Sequence, residues 1–278
     1  YPFRLVSLRY YRLLKLMNPI VVELGSSIKA GFAGDEEPRV VISSSVNGGS
    51  PIEEGLVKDW IALEHVLIEI LEKLHDGTFD RSIAENRQIL AAVSPFQNHD
   101  RIKSMLLESF HFGSVHITSS AALPLFAQGL TSGLIVECGA DVTFVAPTVE
   151  GILQPHLTRK FVVSGKNISE YLRKLLSFRA SSKSLFESNS VESIKSKFCY
   201  VAVDLEDEKK LVKETNCLVE KYVLPDGKRI KFAQERFECA EAFFDPSVIG
   251  EQSSGISDFV FDLIQDADID IRSKLYKH

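Results

Sequence analysis

Apolar residues recur along the chain with two different periods, and the periods alternate. Ile20-Val21-Val22 is a short continuous apolar run, the mark of a buried strand. Over residues 59–73 the pattern changes. Trp60, Leu63, Leu67, Ile70, Leu71 and Leu74 repeat at three and four, which predicts an amphipathic helix with Asp59 as its cap. Residues 88–93 form a second apolar strand. A helix beginning at Asn98 or His99 places Ile102, Met105, Leu106 and Phe110 on one face. Residues 115–117 read as a strand, 121–128 as a short helix, and 133–137 and 142–146 as two strands about a turn. Helices are expected at 169–176, 191–204, 257–265 and 268–276. Pro225-Asp226-Gly227 supplies turn chemistry for a hairpin over 221–232. Strands and helices alternate, so the class is α/β.

One motif occurs twice. Val22-Glu23-Leu24-Gly25 and Val136-Glu137-Cys138-Gly139 each end an apolar strand in an acid, one further residue and a glycine, then turn into another strand. A glycine there lets the backbone turn tightly and approach a ligand, and amides in such turns can cradle phosphates. A carboxylate before the turn can hold a divalent cation, directly or through water. Two such hairpins facing each other would clamp a nucleotide. The candidate loops are Gly25-Ser26-Ser27 and Gly139-Ala140-Asp141. Lys29 could meet a phosphate, and Glu23 and Glu137 a metal ion. The same residues also describe two ordinary hairpins with solvated acids, and a two-residue match leaves both readings open.

Bulk properties narrow the field. The chain has 278 residues, enough for one or two domains, and is 45% hydrophobic and 25% charged, as globular proteins are. A net charge of -6 supplies no basic field for phosphates, so nucleic acid is not an expected direct partner. No apolar run is long enough to span a bilayer, so no membrane partner is expected. Cys138, Cys199, Cys217 and Cys239 lie far apart without metal spacing and read as reduced, buried or incidental thiols. The histidines show no zinc-protease spacing, and no nucleophile elbow occurs. Glu206 to Lys210 reads as a solvated helix end or loop, and 181–184 as an exposed loop. Residues 1–16 carry Arg4, Arg9, Arg12 and Lys15 without an acid. They suit either a basic targeting segment or an extension ahead of a start at Met17, and are read as lying outside the fold.

Longer strings carry a resemblance. Ile28-Lys29-Ala30-Gly31-Phe32-Ala33-Gly34-Asp35, Pro51-Ile52-Glu53-Glu54-Gly55-Leu56-Val57, Phe126-Ala127-Gln128-Gly129-Leu130-Thr131-Ser132-Gly133, Cys199-Tyr200-Val201-Ala202-Val203-Asp204 and Leu224-Pro225-Asp226-Gly227 follow one another in order. Glu235-Arg236-Phe237 and Asp270-Ile271-Arg272 continue the series. Together they resemble the actin family, and specifically a shortened, divergent actin-related protein. The resemblance implies an actin-like fold of two ribonuclease H-like duplicated domains, here 17–127 and 128–278, C-terminally truncated. It implies ATP or ADP with Mg or Ca in the cleft between them. It also implies partners among actin, other actin-related proteins and multi-subunit cytoskeletal complexes, in the cytoplasm or the nucleus.

The departures from the family shape the functional expectation. Glu23 and Glu137 stand where actins carry Asp, and the extra methylene disturbs a cation site of demanding geometry. Ser27 replaces a glycine whose backbone shape a side chain is expected to resist. Ser120 replaces a Gln that orients the attacking water, and Phe144 a His. Ala140-Asp141 stands for Asp-Gly. Ser26, Lys29, Gly165 and Lys195 match, the last two near the adenosine. Glu192 replaces an Arg and Ser196 a Glu. A small subdomain of the family is expected to be reduced to a bare turn at 46–50. The resulting expectation is a scaffolding subunit with weak or lost ATP binding and hydrolysis. The alternative is an ATP-binding actin-like ATPase that assembles into or caps filaments.

Overall fold

The computed structural model describes residues 18–44, 49–75, 77, 79, 81–179 and 188–278. The extension at 1–16, Met17, the loop at 181–184 and most of the turn expected at 46–50 lie outside the described residues. The chain divides into two compact units. One takes the chain up to Ile135 with Ala146–Thr158 and Lys277–His278, and the other takes Val136–Val145 and Arg159–Tyr276.

The first unit is built on a five-stranded sheet. Its strands are β1 (Ile20–Glu23), β2 (Ser27–Phe32) and β3 (Val40–Ser43), with the small ribbon β4 (Ile52–Glu53) and β5 (Leu56–Val57) standing apart, then β6 (Gln88–Val93) and β7 (Ser114–Ser119). The order is β3-β2-β1-β6-β7. β1, β2 and β3 form an antiparallel meander, and β6 and β7 add in parallel beside β1. A parallel strand needs a crossover, and the Trp60–Leu74 helix lies on the path from β5 to β6. Asp59 caps that helix as expected, accepting from the amides of Ile61 and Ala62 at 3.0 Å each. Leu63, Val66, Leu67, Ile70, Leu71 and Leu74 are buried in one cluster with Ile20, Val22, Ile28 and Ile89.

The helix expected near residue 98 is Asn98-capped and runs from His99 to Ser104. It then widens into a π turn, Met105–Ser109, in which the amide of Phe110 donates to the carbonyl of Met105 at 3.3 Å. Ile102, Met105, Leu106 and Phe110 are all buried.

A similar meander follows, of which Val136–Val145 and Arg159–Phe161 belong to the second unit. β8 (Gly133–Cys138) leads into β9 (Thr143–Val149), whose Val149 and Thr148 pair with β10 (Ile152–Leu153) and whose other end pairs with β11 (Arg159–Phe161) through Phe161↔Thr143. The hairpin of β12 (Glu220–Val223) and β13 (Arg229–Phe232) forms where Pro225-Asp226-Gly227 predicts it, with Gly227 at φ 81°. Phe161, Val163, Leu172, Leu176, Val191, Ile194 and Phe232 are among the residues of its core.

Two expected helices have different bounds. The first spans Gly165–Ser177 rather than starting at 169, because Ser164 and Asn167 form a capping box ahead of it. The other is Ser188–Phe198 and stops short of 204. Asp204 instead caps a separate helix, Leu205–Glu214, accepting from Glu206 and Asp207 at 2.9 and 3.0 Å. The acids Glu206, Asp207 and Glu208 occupy its first turn, where the helix dipole favours negative charge. The chain closes with helices Ile256–Asp266 and Ile269–Lys277. No helix among the described residues is long and apolar enough to cross a membrane.

The buried and exposed faces of the Trp60–Leu74 helix give a direct test. Leu63 is fully buried and Ile61 is 70% exposed. Leu63→Ala should cost about 2–5 kcal/mol in urea unfolding, and Ile61→Ala should stay within about 0.5 kcal/mol.

Candidate functional site

In the first hairpin the acid and the lysine find each other. Glu23 ends β1 and is the direct cross-strand partner of Lys29 in β2. The ammonium of Lys29 lies 2.9 Å from Glu23 Oε2, with both side chains partly exposed. The residue expected to approach a cation and the residue expected to approach a phosphate therefore neutralise one another. An exposed pair of this kind is weak and can be displaced.

The turn between them is also engaged. The carbonyl of Ser26 accepts from both the amide and the hydroxyl of Ser44, at 3.0 Å each. Ser27 does not strain the loop as expected from its replacing a glycine. It begins β2 in extended pairing with Ser43, outside the left-handed region. At Gly25 an added Cβ would meet nothing closer than the carbonyl of Ser27 at 3.5 Å.

The second hairpin is tighter. The amide of Gly139 donates to Val142 at 3.0 Å, and an added Cβ would stand 2.5 Å from that same carbonyl. The next segment locks onto the turn. Gly165 donates to the carbonyl of Gly139 at 3.0 Å, and Lys166 to that of Ala140 at 2.7 Å. These are first-turn amides of the Gly165–Ser177 helix, the kind that bind anions at other helix starts. Here the hairpin carbonyls occupy them, and Asn167 accepts from the amide of Ser164 at 2.9 Å.

Lys195 is held from three sides. Its ammonium donates to the carbonyl of Gly165 at 3.0 Å and to Ser169 Oγ at 2.5 Å, and pairs with Glu192 Oε2 at 2.8 Å. The Ser169 hydroxyl also bonds Glu192. An ammonium has three protons, so this set satisfies it. The acid at 192 is what supplies the charged partner.

Gly139, Ala140, Gly165 and Lys195 line one cleft of about 430 Å³ within the second unit, together with Cys199 and Tyr200. Glu23 and Lys29 line another, of about 330 Å³, within the first. Glu137 and Asp141 are half-buried on the strand and turn of the second hairpin. Ser120 is buried at the start of a 3-10 turn, and Phe144 is buried in β9. Among the described residues no group of three or more His, Cys, Asp or Glu side chains could hold a metal ion. The first hairpin contributes one carboxylate, Glu23, and the second two, Glu137 and Asp141, whereas a hard divalent cation takes six or more oxygens.

Tyr200, Cys199 and Cys239 are cleft residues to which the sequence reading gave no part in a site. Arg236 lies 5.0 Å from the Tyr200 ring, and the Tyr200 hydroxyl bonds Glu208 at 3.0 Å. Burial and that carboxylate raise the phenol above its ordinary range.

Fold and site together define a duplicated α/β protein in which each half carries an acid-x-glycine hairpin and a small cleft beside it. The chain belongs to the actin family, whose sequence profile, Actin, matches residues 45–278. It is similar to actin-related protein 2 of Acanthamoeba castellanii, 39% identical over 255 residues, covering 90% of this chain and 64% of that protein. Actin-related protein 2 of Saccharomyces cerevisiae is 36% identical over 262 residues, covering 91% and 64%. The Drosophila melanogaster protein of the same name is 38% identical over 255 residues, covering 89% and 61%. The chain thus spans 61–64% of the length of these curated relatives.

The two hairpin glycines should behave differently. Gly139→Ala must push the turn apart and should cost about 1–3 kcal/mol in chemical denaturation, while Gly25→Ala should change stability by no more than about 0.5 kcal/mol.

Proposed function

We propose that the chain is an interaction subunit on an actin fold, joining actin or other actin-related proteins in a multi-subunit cytoskeletal complex, with a nucleotide site that is weak or lost. The observation that carries this reading is the internal pairing of both lysines that would meet a nucleotide. Lys29 is on Glu23, and Lys195 is on Glu192, Ser169 and the Gly165 carbonyl. A ligand phosphate or ribose would have to displace those partners first, and each exchange offsets part of what binding gains. Residual contacts would come from Gly25, Ser26, Ser27 and Lys29 in one hairpin, and from Gly139, Asp141, Gly165 and Lys195 in the other half. Glu23 and Glu137 would touch Mg or Ca only through water.

A second reading has one observation in its favour. Gly139, Gly165 and Lys195 line a single cleft. On that reading the chain is an ATP-binding actin-like ATPase that assembles into or caps filaments.

Thermal unfolding with millimolar Mg-ATP separates the two. A ligand at a hundredfold excess over its dissociation constant stabilises by about 2.7 kcal/mol. The scaffold reading expects an unmoved transition, together with cosedimentation with actin filaments or stable copurification with actin-related partners. A clear upward shift would move the ATPase reading ahead. Glu192→Ala should leave Lys195 on Ser169 and the Gly165 carbonyl but without a charged partner, and should tighten ATP binding by about twofold to fivefold, since a partly exposed ion pair is worth up to ~1 kcal/mol. An unchanged affinity would show that the pairing of Lys195 is not what weakens the site.

A further inference from the structure

Two cysteines forty positions apart in the chain meet in the cleft of the second unit. Cys199 follows the Ser188–Phe198 helix, and Cys239 follows the short Glu235–Glu238 helix. Both line the cleft, and the segments that carry them converge on one backbone carbonyl, that of Arg236. Backbone and side-chain bonds hold the two segments against each other. The carbonyl of Arg236 accepts from the amide of Tyr200 at 3.1 Å and from the thiol of Cys239 at 3.7 Å. The guanidinium of Arg236 donates back to the carbonyl of Phe198 at 2.9 Å. Cys239 is fully buried in the core cluster, and Cys199 packs against it while remaining partly exposed.

We infer that Cys199 and Cys239 form a peroxide-oxidisable dithiol, in which Cys199 reacts first and Cys239 closes a disulfide onto it. The thiolate is the reactive form of cysteine, and its formation is favoured beside cations and donors. Cys199 has such surroundings. The neighbouring Cys239 thiol lowers that of Cys199 below the ordinary value against the effect of burial, and Arg236 and Lys195 add to the lowering. Cys239 is shifted the other way, mainly through that same contact and through burial, so it keeps its proton. Cys138 lines the same cleft and is exposed, but partial desolvation of its sulfur and the charge of Glu137 push its thiol up.

The chemistry balances with hydrogen peroxide as the oxidant. The Cys199 thiolate attacks one peroxide oxygen and the O–O bond breaks, giving a sulfenic acid and hydroxide. The Cys239 sulfur then attacks the Cys199 sulfur. The S–O bond breaks, and the departing oxygen leaves as water with the Cys239 proton. Two thiols lose two electrons and two protons, and one peroxide becomes two waters overall. A small thiol such as dithiothreitol reverses the step. This inference does not depend on whether the cleft binds nucleotide.

Peptide mapping of the full chain under graded hydrogen peroxide tests it. The expected product is a Cys199–Cys239 cross-linked peptide, formed before Cys138 or Cys217 is oxidised and removed by dithiothreitol. Before oxidation, iodoacetamide should label Cys199 about tenfold or more faster than Cys239, as its exposure and thiolate character require. Cys239→Ala should leave a sulfenic acid at Cys199 that a dimedone probe captures, and Cys138→Ala should leave the cross-link unchanged. Oxidation of Cys138 or Cys217 ahead of Cys199, or of Cys199 without linkage to Cys239 in the unmodified chain, would overturn the proposal. The mapping of the unmodified chain decides this even if a variant fails to fold.

Discussion

The second unit depends on a close backbone approach between the Gly139–Ala140 turn and the start of the Gly165–Ser177 helix. Two carbonyls of the turn accept from two amides of the helix, at 3.0 and 2.7 Å. An added Cβ on Gly165 would come within 3.2 Å of Ala140 Cα and the Gly139 carbonyl. Glycine on both sides is what lets those groups meet. Once they do, the helix begins at Gly165, and Ile168, Leu172 and Leu176 point into the core beside Val191 and Ile194. The Gly165 carbonyl then becomes the anchor for Lys195, so one steric constraint sets the helix start, the core register and the position of a cleft lysine.

Charge in the two clefts follows from small changes of side chain. A glutamate reaches further than an aspartate, and at position 23 the carboxylate spans the strand pair to Lys29. At position 192 an acid stands one helical turn before Lys195 and pairs with it directly. Neither contact is strong in isolation, because both involve partly exposed groups. Their effect is on what the clefts present. A cation already matched to a carboxylate attracts an incoming phosphate far less than an unmatched one does.

Much of this arrangement was legible in the order of residues. The Asp59-capped helix, β1, β6 and the β12–β13 hairpin stand close to where hydrophobic period and turn chemistry place them. What escaped was set by competition between local bonds. Asp204 carries no mark that distinguishes the end of one helix from the cap of the next, and the π turn at Met105–Ser109 keeps its apolar residues buried without breaking their spacing. The strand β3 is too short and too mixed to announce itself, with Val41 exposed and Val40 buried. In the site, Ser27 looked like an obstacle because a glycine was expected there, yet it sits in ordinary extended backbone. The Cys199–Cys239 pair could not be seen at all, since only the folded chain brings those helix ends together.

The same reasoning limits what these glycines say about nucleotide binding. Gly139 is required by the carbonyl of Val142, and Gly165 by the turn it packs on, whether or not a nucleotide ever binds. Lys195 likewise has a structural duty, tying the Ser188–Phe198 helix to the first turn of its neighbour. Such residues have reasons of folding to be what they are and are poor witnesses to chemistry. Lys29 is different. It is exposed, sits on a hairpin whose glycine tolerates a side chain, and contributes only a weak surface pair. The case for nucleotide therefore rests most on the residue the fold needs least, and that residue is held by a carboxylate reaching across from β1.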